Sequence, residues 1–257
     1  MIRILFSVLA FAGGMFLGMI VLQEAGRRLG ARRLARDPEG ARTGLGAVEG
    51  AIFGLMGLVI AFTFSGAAAR FDARRQLIGE EANAIGTAYL RVDLLPAETQ
   101  PKMRELFRRY VDTRLEAYDR LPDLRAAREA LARSVALQGE IWNGSVEAGR
   151  GAPPVTMLLL PALNAMIDIT TTRMVAIQMH PPLIIFAMLG LLALVCSLLA
   201  GYAMAGSKSR SLVHSVGFAV VLTLTVYVIL DLEFPRVGLI RVDATDQVLR
   251  DVRQSMR

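Results

Sequence analysis

Cysteine occurs once in this sequence, at Cys196, so no internal disulfide can brace the fold. Histidine occurs only at His180 and His214, and neither has a carboxylate or cysteine at metal-ligand spacing, which argues against zinc or di-iron chemistry. No G-x-S-x-G elbow or P-loop is present, and no segment shows the alternation of a strand. The residues therefore support neither catalysis nor a cofactor. Charge is also scarce inside the apolar runs: Glu49 lies at the rim of one, and Asp231 and Glu233 at the end of another. Ion-coupled pumps need buried ionisable relays, so a passive pore fits this pattern better than a pump.

What is present is apolar. Of 257 residues, 54% are hydrophobic and the mean hydropathy is +0.45, above the roughly 45–50% of soluble domains. Ile4–Leu22, Ala51–Ala69, Pro182–Ala205 and Leu212–Leu232 each approach the roughly 20 apolar residues that cross a bilayer as a helix. The first run exceeds the roughly 7–15 residues of a signal-peptide core and lacks a small-x-small cleavage site just beyond Leu22, so it reads as a retained anchor. The sequence predicts an all-α integral membrane protein with four transmembrane helices.

The formal charge is +6, carried almost wholly by arginine, since Lys102 and Lys208 are the only lysines. No basic-aromatic cluster or nucleic-acid motif accompanies it. The arginines flank the spans, where lipid headgroups are the expected partner and nucleic acid is not. Residues 25–46 carry Arg27, Arg28, Arg32, Arg33, Arg36 and Arg42, and the 206–211 link adds Lys208 and Arg210. Basic short loops stay cytoplasmic, which leans slightly toward termini outside. Arg3, Arg70, Arg74, Arg75, Arg236 and Arg241 on the other side make the balance nearly even.

The domain reading is a first span and basic loop over 1–46, a second span running on as a long amphipathic helix over 47–95, and a helical extramembrane domain over 96–180. The third and fourth spans (181–233) and a polar tail (234–257) follow. In the middle domain, Pro101 suits a first helical turn. Met103, Leu106, Phe107, Tyr110, Val111, Arg114, Leu115 and Tyr118 then recur at helical spacing. Asp123 is the expected N-cap of a second helix, with Leu124, Ala127, Leu131, Val135, Ile141 and Trp142 as its stripe, stopped by GRGAPP at 149–154. A further helix, Val155–Met179, lies at the membrane interface or beneath the spans.

No proline interrupts residues 47–94, so the second span and FDARRQLIGEEANAIGTAYLR form one helix, roughly 70 Å long. Its polar positions Asp72, Gln76, Glu80, Asn83, Thr87 and Arg91 share one face, opposite Phe71, Ile78, Ala82, Ile85 and Tyr89. The polar face is either solvated, with Glu80 and Glu81 as surface carboxylates, or the lining of an aqueous vestibule in an oligomer. A catalytic pair is the poorest reading, because neighbouring helix residues point about 100° apart and do not easily share one substrate. Gly14 and Gly18 in the first span, and Gly46, Gly50 and Gly54 in the second, recur every fourth residue and allow close helix packing, within the chain or between copies.

Glu80–Arg91 (EEANAIGTAYLR), Leu95-Pro96, Arg109–Arg114 (RYVDTR) and Leu230–Val242 (LDLEFPRVGLIRV), with the four-span layout, resemble a bacterial membrane-protein family described as bestrophin-like. The resemblance covers roughly residues 44–245. True bestrophins are pentameric anion channels with a narrow aromatic and aliphatic neck on the second span. By analogy the neck would come from Ile52, Met56, Ile60 and Phe64, and the termini would lie inside. A Phe-x-x-x-Phe neck repeat and an acidic calcium-binding run are missing. The resemblance implies a homo-oligomeric channel for inorganic ions in a bacterial inner membrane, and the alternative is a membrane-anchored scaffold or sensor whose helical domain binds a partner.

Overall fold

The computed structural model describes residues 2–37, 45–121, 123–206, 212–236 and 238–256. The longer helices are α1 (Ile2–Arg36), α2 (Leu45–Leu90), α3 (Gln100–Asp119), α4 (Leu124–Ala148), α5 (Pro153–Gln178), α6 (Leu183–Ala203), α7 (Leu212–Glu233) and α8 (Gln247–Ser255). Short 3-10 turns at Arg91–Leu94, Met204–Gly206 and Asp243–Asp246 complete the secondary structure, and the described residues contain no strand. The all-helical expectation holds, with four helices long and apolar enough to cross a membrane. The chain forms two compact units, Ile2–Ala69 with His180–Phe234, and Arg70–Met179 with Pro235–Arg257. Thus α2 contributes to both.

In the first unit, Met15, Met19, Met56, Leu189, Ala193, Cys196, Ala219, Val226 and Leu230 form the core. The thiol of Cys196 is buried in it. Around the core stands an apolar surface that includes Leu17, Val21, Phe62, Leu191, Val213 and Val221. Such a contiguous exposed apolar surface suits lipid rather than water.

Helices α1 and α6 run parallel: Gly18 faces Leu194, Gly26 faces the Leu198 carbonyl, and Gly30 faces the Tyr202 carbonyl. Gly201 of α6 lies against the Gln23 backbone in return. Of the glycines singled out by spacing, only Gly18 packs inside the chain, where a Cβ would sit 3.0 Å from a Leu194 methyl. Gly14, Gly46, Gly50 and Gly54 face open space within 4 Å. The every-fourth-residue spacing marks a smooth helix face, but close approach needs a neighbour along it, and within the chain α6 reaches that face only at Gly18.

In the second unit, α3 and α4 form the expected hairpin. Pro101 sits in the first turn of α3, and Asp123 caps α4 by accepting from the backbone amides of Arg125 at 3.0 Å and Ala126 at 3.1 Å. The α3 stripe is buried as its spacing predicts, but Leu124 and Val135 of α4 are exposed. Ala127 and Ile141 of the expected stripe are buried, and Ala130, Ser134, Leu137 and Gln138 complete that face. Gly144 brings α4 close enough that a Cβ would lie 2.9 Å from the Met103 sulfur. Helix α5 buries Leu159, Ala162, Leu163 and Met166 in this unit's core. The C-terminal segment is docked rather than a loose polar tail. Val242, Leu249 and Met256 join the same core, while Arg253 pairs with both Asp112 oxygens at 2.7 and 3.0 Å.

Candidate functional site

The feature that orders the functional residues is the side of α2 they occupy. Ala51, Gly54, Leu58, Ala61, Ser65, Ala69, Asp72, Gln76, Glu80, Asn83 and Thr87 are all exposed, and at 3.6 residues per turn they form one stripe. The opposite side carries Met56, Ala67, Arg74, Ile78, Glu81 and Ile85, all buried. The open stripe is apolar or small up to Ala69 and polar from Asp72 onward.

The four residues chosen by analogy for a neck do not share this stripe. Met56 is buried in the core of the first unit, and Ile52 and Ile60 are half-buried against the same core. Phe64 is 45% exposed, on the flank of the helix. Their mean direction lies about half a turn from that of Asp72, Glu80, Asn83 and Thr87. The positions in register with the polar face are Gly54, Leu58, Ala61, Phe62 and Ser65, with Leu58 53% and Phe62 70% exposed.

Of the polar set, Asp72 pairs with Arg75 at 3.6 Å and Glu80 accepts a hydrogen bond from Gln76 at 2.8 Å. Asn83 and Thr87 are exposed. Arg91 lies beyond the end of α2 in a 3-10 turn and donates to the Leu158 carbonyl of α5, so it anchors the helix end rather than extending the stripe.

Glu81 departs furthest from expectation. It is fully buried and bridges two arginines, accepting from Arg114 Nε of α3 at 2.6 Å and from Arg173 of α5. Arg114 also donates to the Tyr118 hydroxyl at 2.7 Å. The Tyr118 ring carries three guanidinium groups, Arg114 at 5.4 Å and Arg173 and Arg236 each at 4.6 Å from its centre. Arg236 is held in turn by both Asp246 oxygens, at 2.8 and 3.0 Å. A carboxylate on α2 is thereby tied to α3, α5 and the C-terminal segment, which fixes the rotation of α2 about its axis and so the direction of its open face. The signal was present in the sequence: Glu81 falls between Ile78 and Ile85, and Arg114 beside Val111 and Leu115, each a charge inside an apolar stripe.

Burial pushes the Tyr118 phenol above its ordinary range, outweighing the opposite pull of Arg114 and Arg236. Burial raises Tyr110 as well, against Arg114 and a hydrogen bond from Gln138. Both phenols ionise more readily unfolded, near pH ~10, than folded. Their contribution is complete below about pH 10 and is lost as pH rises through the folded values. Denaturant midpoints are expected to hold between about pH 8 and 9 and to fall above about 10, with a smaller fall in Tyr118→Phe. An identical alkaline fall in that variant would assign the effect elsewhere.

Among the described residues no group of three or more histidine, cysteine or acidic side chains could hold a metal. His180 stands 3.3 Å from Glu233 and stacks on Phe234 at 4.9 Å.

No curated protein matches the chain by sequence. The fold is similar to the crystal structure of a bacterial bestrophin homologue from Klebsiella pneumoniae that carries a tryptophan-to-alanine mutation. That likeness has a TM-score of 0.65 at 15% identity and covers 97% of this chain and 98% of the other. The family pattern described as Bestrophin-like domain matches residues 17–246, nearly the whole of the two helical units, and the chain belongs to that family.

Proposed function

We propose that copies of this chain surround an axis and form a passive ion channel, a multi-pass protein of the bacterial inner membrane, with the open stripe of α2 facing the axis. The observation that carries this reading is the stripe itself. Along a helix of 46 residues one stripe is exposed from Ala51 to Thr87, the buried residues from Met56 to Ile85 lie on the opposite side, and the exposed stripe changes from apolar to polar. Leu58 and Phe62, one turn apart, form the narrow apolar section, in place of Ile52, Met56 and Ile60. Asp72, Glu80, Asn83 and Thr87 line the wider aqueous section. Gly46, Gly50 and Gly54 leave room for the helix of the next copy. A ring of Glu80 carboxylates, each hydrogen-bonded only to neutral Gln76, favours cations in the vestibule.

The test is flux from liposomes under potassium and chloride gradients. Leu58→Ala and Phe62→Ala are expected to raise flux, and Glu80→Gln to shift the reversal potential toward chloride. Cysteines placed at Asn83 and Thr87 are expected to be modified by a water-soluble thiol reagent and protected by a pore-sized blocker, with Cys196 buried and silent. A tight bilayer around folded protein would remove the channel and favour the membrane-anchored scaffold.

A further inference from the structure

One face of α1 changes character along its length. Leu17 and Val21 are 64% and 65% exposed, as suits contact with acyl chains. In the following turns the same face carries Arg28, Arg32 and Arg36, all exposed, with Arg33 beside them. Glu24 serves the arginines nearest the span, pairing with Arg27 at 3.1 Å and Arg28 at 2.7 Å. Among the described residues the side chains of Arg32, Arg33 and Arg36 take part in no ion pair and no hydrogen bond. Three guanidinium groups with no side-chain partner among the described residues therefore stand within five residues of helix, ahead of Asp37.

The other side of α1 holds this display in place. Gly26 and Gly30 lie against the carbonyls of Leu198 and Tyr202, so α1 is clamped along α6 up to the level where α6 ends at Ala203. Helix α6 has 21 residues, about the length that spans the hydrocarbon layer. Charge on α1 begins at Glu24 and Gly30 lies level with Tyr202 near the end of α6, so the arginines from Arg27 to Arg36 occupy the end of the span and the turns beyond it. Side chains on a helix lean toward its N-terminus, which here is back toward the bilayer, within reach of the headgroup phosphates.

From this arrangement we infer that Arg32, Arg33 and Arg36 bind anionic phospholipid headgroups, with Arg28 at the inner edge of the surface. The planar guanidinium matches phosphate oxygens in pairs. A zwitterionic headgroup offers the same phosphate with its charge cancelled, so the surface selects for net negative lipid. The inference rests on α1 and α6 as membrane spans and is independent of conduction, since a chain that passes no ions would bind lipid equally well.

The test is native mass spectrometry of the full-length protein in mild detergent, titrated with phosphatidylglycerol or phosphatidylcholine. Phosphatidylglycerol is expected to bind in preference, and less tightly as ionic strength rises. The triple variant Arg32→Gln, Arg33→Gln, Arg36→Gln is expected to lose on the order of a hundredfold in affinity, from roughly fivefold per charge near a membrane surface. The matching triple lysine variant is expected to keep most of it, which separates charge from misfolding. Equal uptake of both lipids by the wild type, or unchanged phosphatidylglycerol affinity in the glutamine variant, would overturn the inference. So would a change of oligomer mass with lipid affinity intact, which would give this face to a second copy of the chain.

Discussion

Glu81→Ala is expected to destabilise the protein by about 3–5 kcal/mol, because it leaves Arg114 and Arg173 buried without their carboxylate. Glu80→Ala, one residue earlier, is expected to change stability by no more than about 0.5 kcal/mol, since that side chain is exposed and bonded only to Gln76. Denaturant unfolding in detergent, read on both variants, checks the contrast. Equal effects would show that the burial of Glu81 does not matter. Glu81→Gln separates charge from shape, as the amide keeps an acceptor oxygen but cannot neutralise two guanidinium groups. Combining Glu81→Ala with Arg114→Ala should cost less than the sum of the two, because the double variant removes one of the stranded charges. There is a functional side to the same substitution. The hub holds α2 to α3 and α5, so a channel lined by the open stripe should lose selectivity in Glu81→Gln at temperatures where it is still folded.

The second large effect concerns the glycines of the first unit. Gly201→Ala and Gly26→Ala each place a methyl group against carbonyl backbone of the neighbouring helix, the Gln23 and Leu198 carbonyls respectively. Backbone cannot turn aside as a side chain can, so α1 and α6 must separate. The expected cost is about 1–3 kcal/mol or more for each, seen as a lower thermal midpoint in detergent. Gly50→Ala and Gly54→Ala meet nothing within the chain and gain up to about 1 kcal/mol of helix propensity. If the edge of α2 that carries Gly46, Gly50 and Gly54 meets a second copy, these two variants should leave the monomer as stable as before and weaken its assembly, which mass measurement of the oligomer would detect. A stable Gly201→Ala protein would mean that the parallel contact between α1 and α6 is looser than its geometry indicates.

The two contrasts differ in cause. In water, apolar periodicity tells inside from outside, and the part of α2 beyond Ala69 obeys it: Ile78, Ala82 and Ile85 are buried while Asp72, Asn83 and Thr87 are exposed. In lipid both sides of a helix are apolar, and hydrophobicity no longer distinguishes a neighbour helix from an acyl chain. Met56 and Phe62 are equally acceptable to the sequence pattern, yet one is in the core and the other is 70% exposed. Of the neck residues chosen by analogy, Met56 is buried, Ile52 and Ile60 are half-buried and Phe64 is exposed.

The sequence by itself determined the helical class, the four apolar spans, the α3–α4 hairpin with its Asp123 cap, and the polar stripe from Asp72 to Thr87, because each rests on local periodicity, capping chemistry or length. Only the tertiary structure decided that Glu81 meets Arg114 and Arg173 in one hub, that Gly26, Gly30 and Gly201 rather than Gly14, Gly46, Gly50 and Gly54 carry the close contacts, and that the C-terminal segment closes the second core. Those outcomes depend on which residues far apart in the chain meet, and in an apolar span neither charge nor hydropathy records the identity of the neighbour.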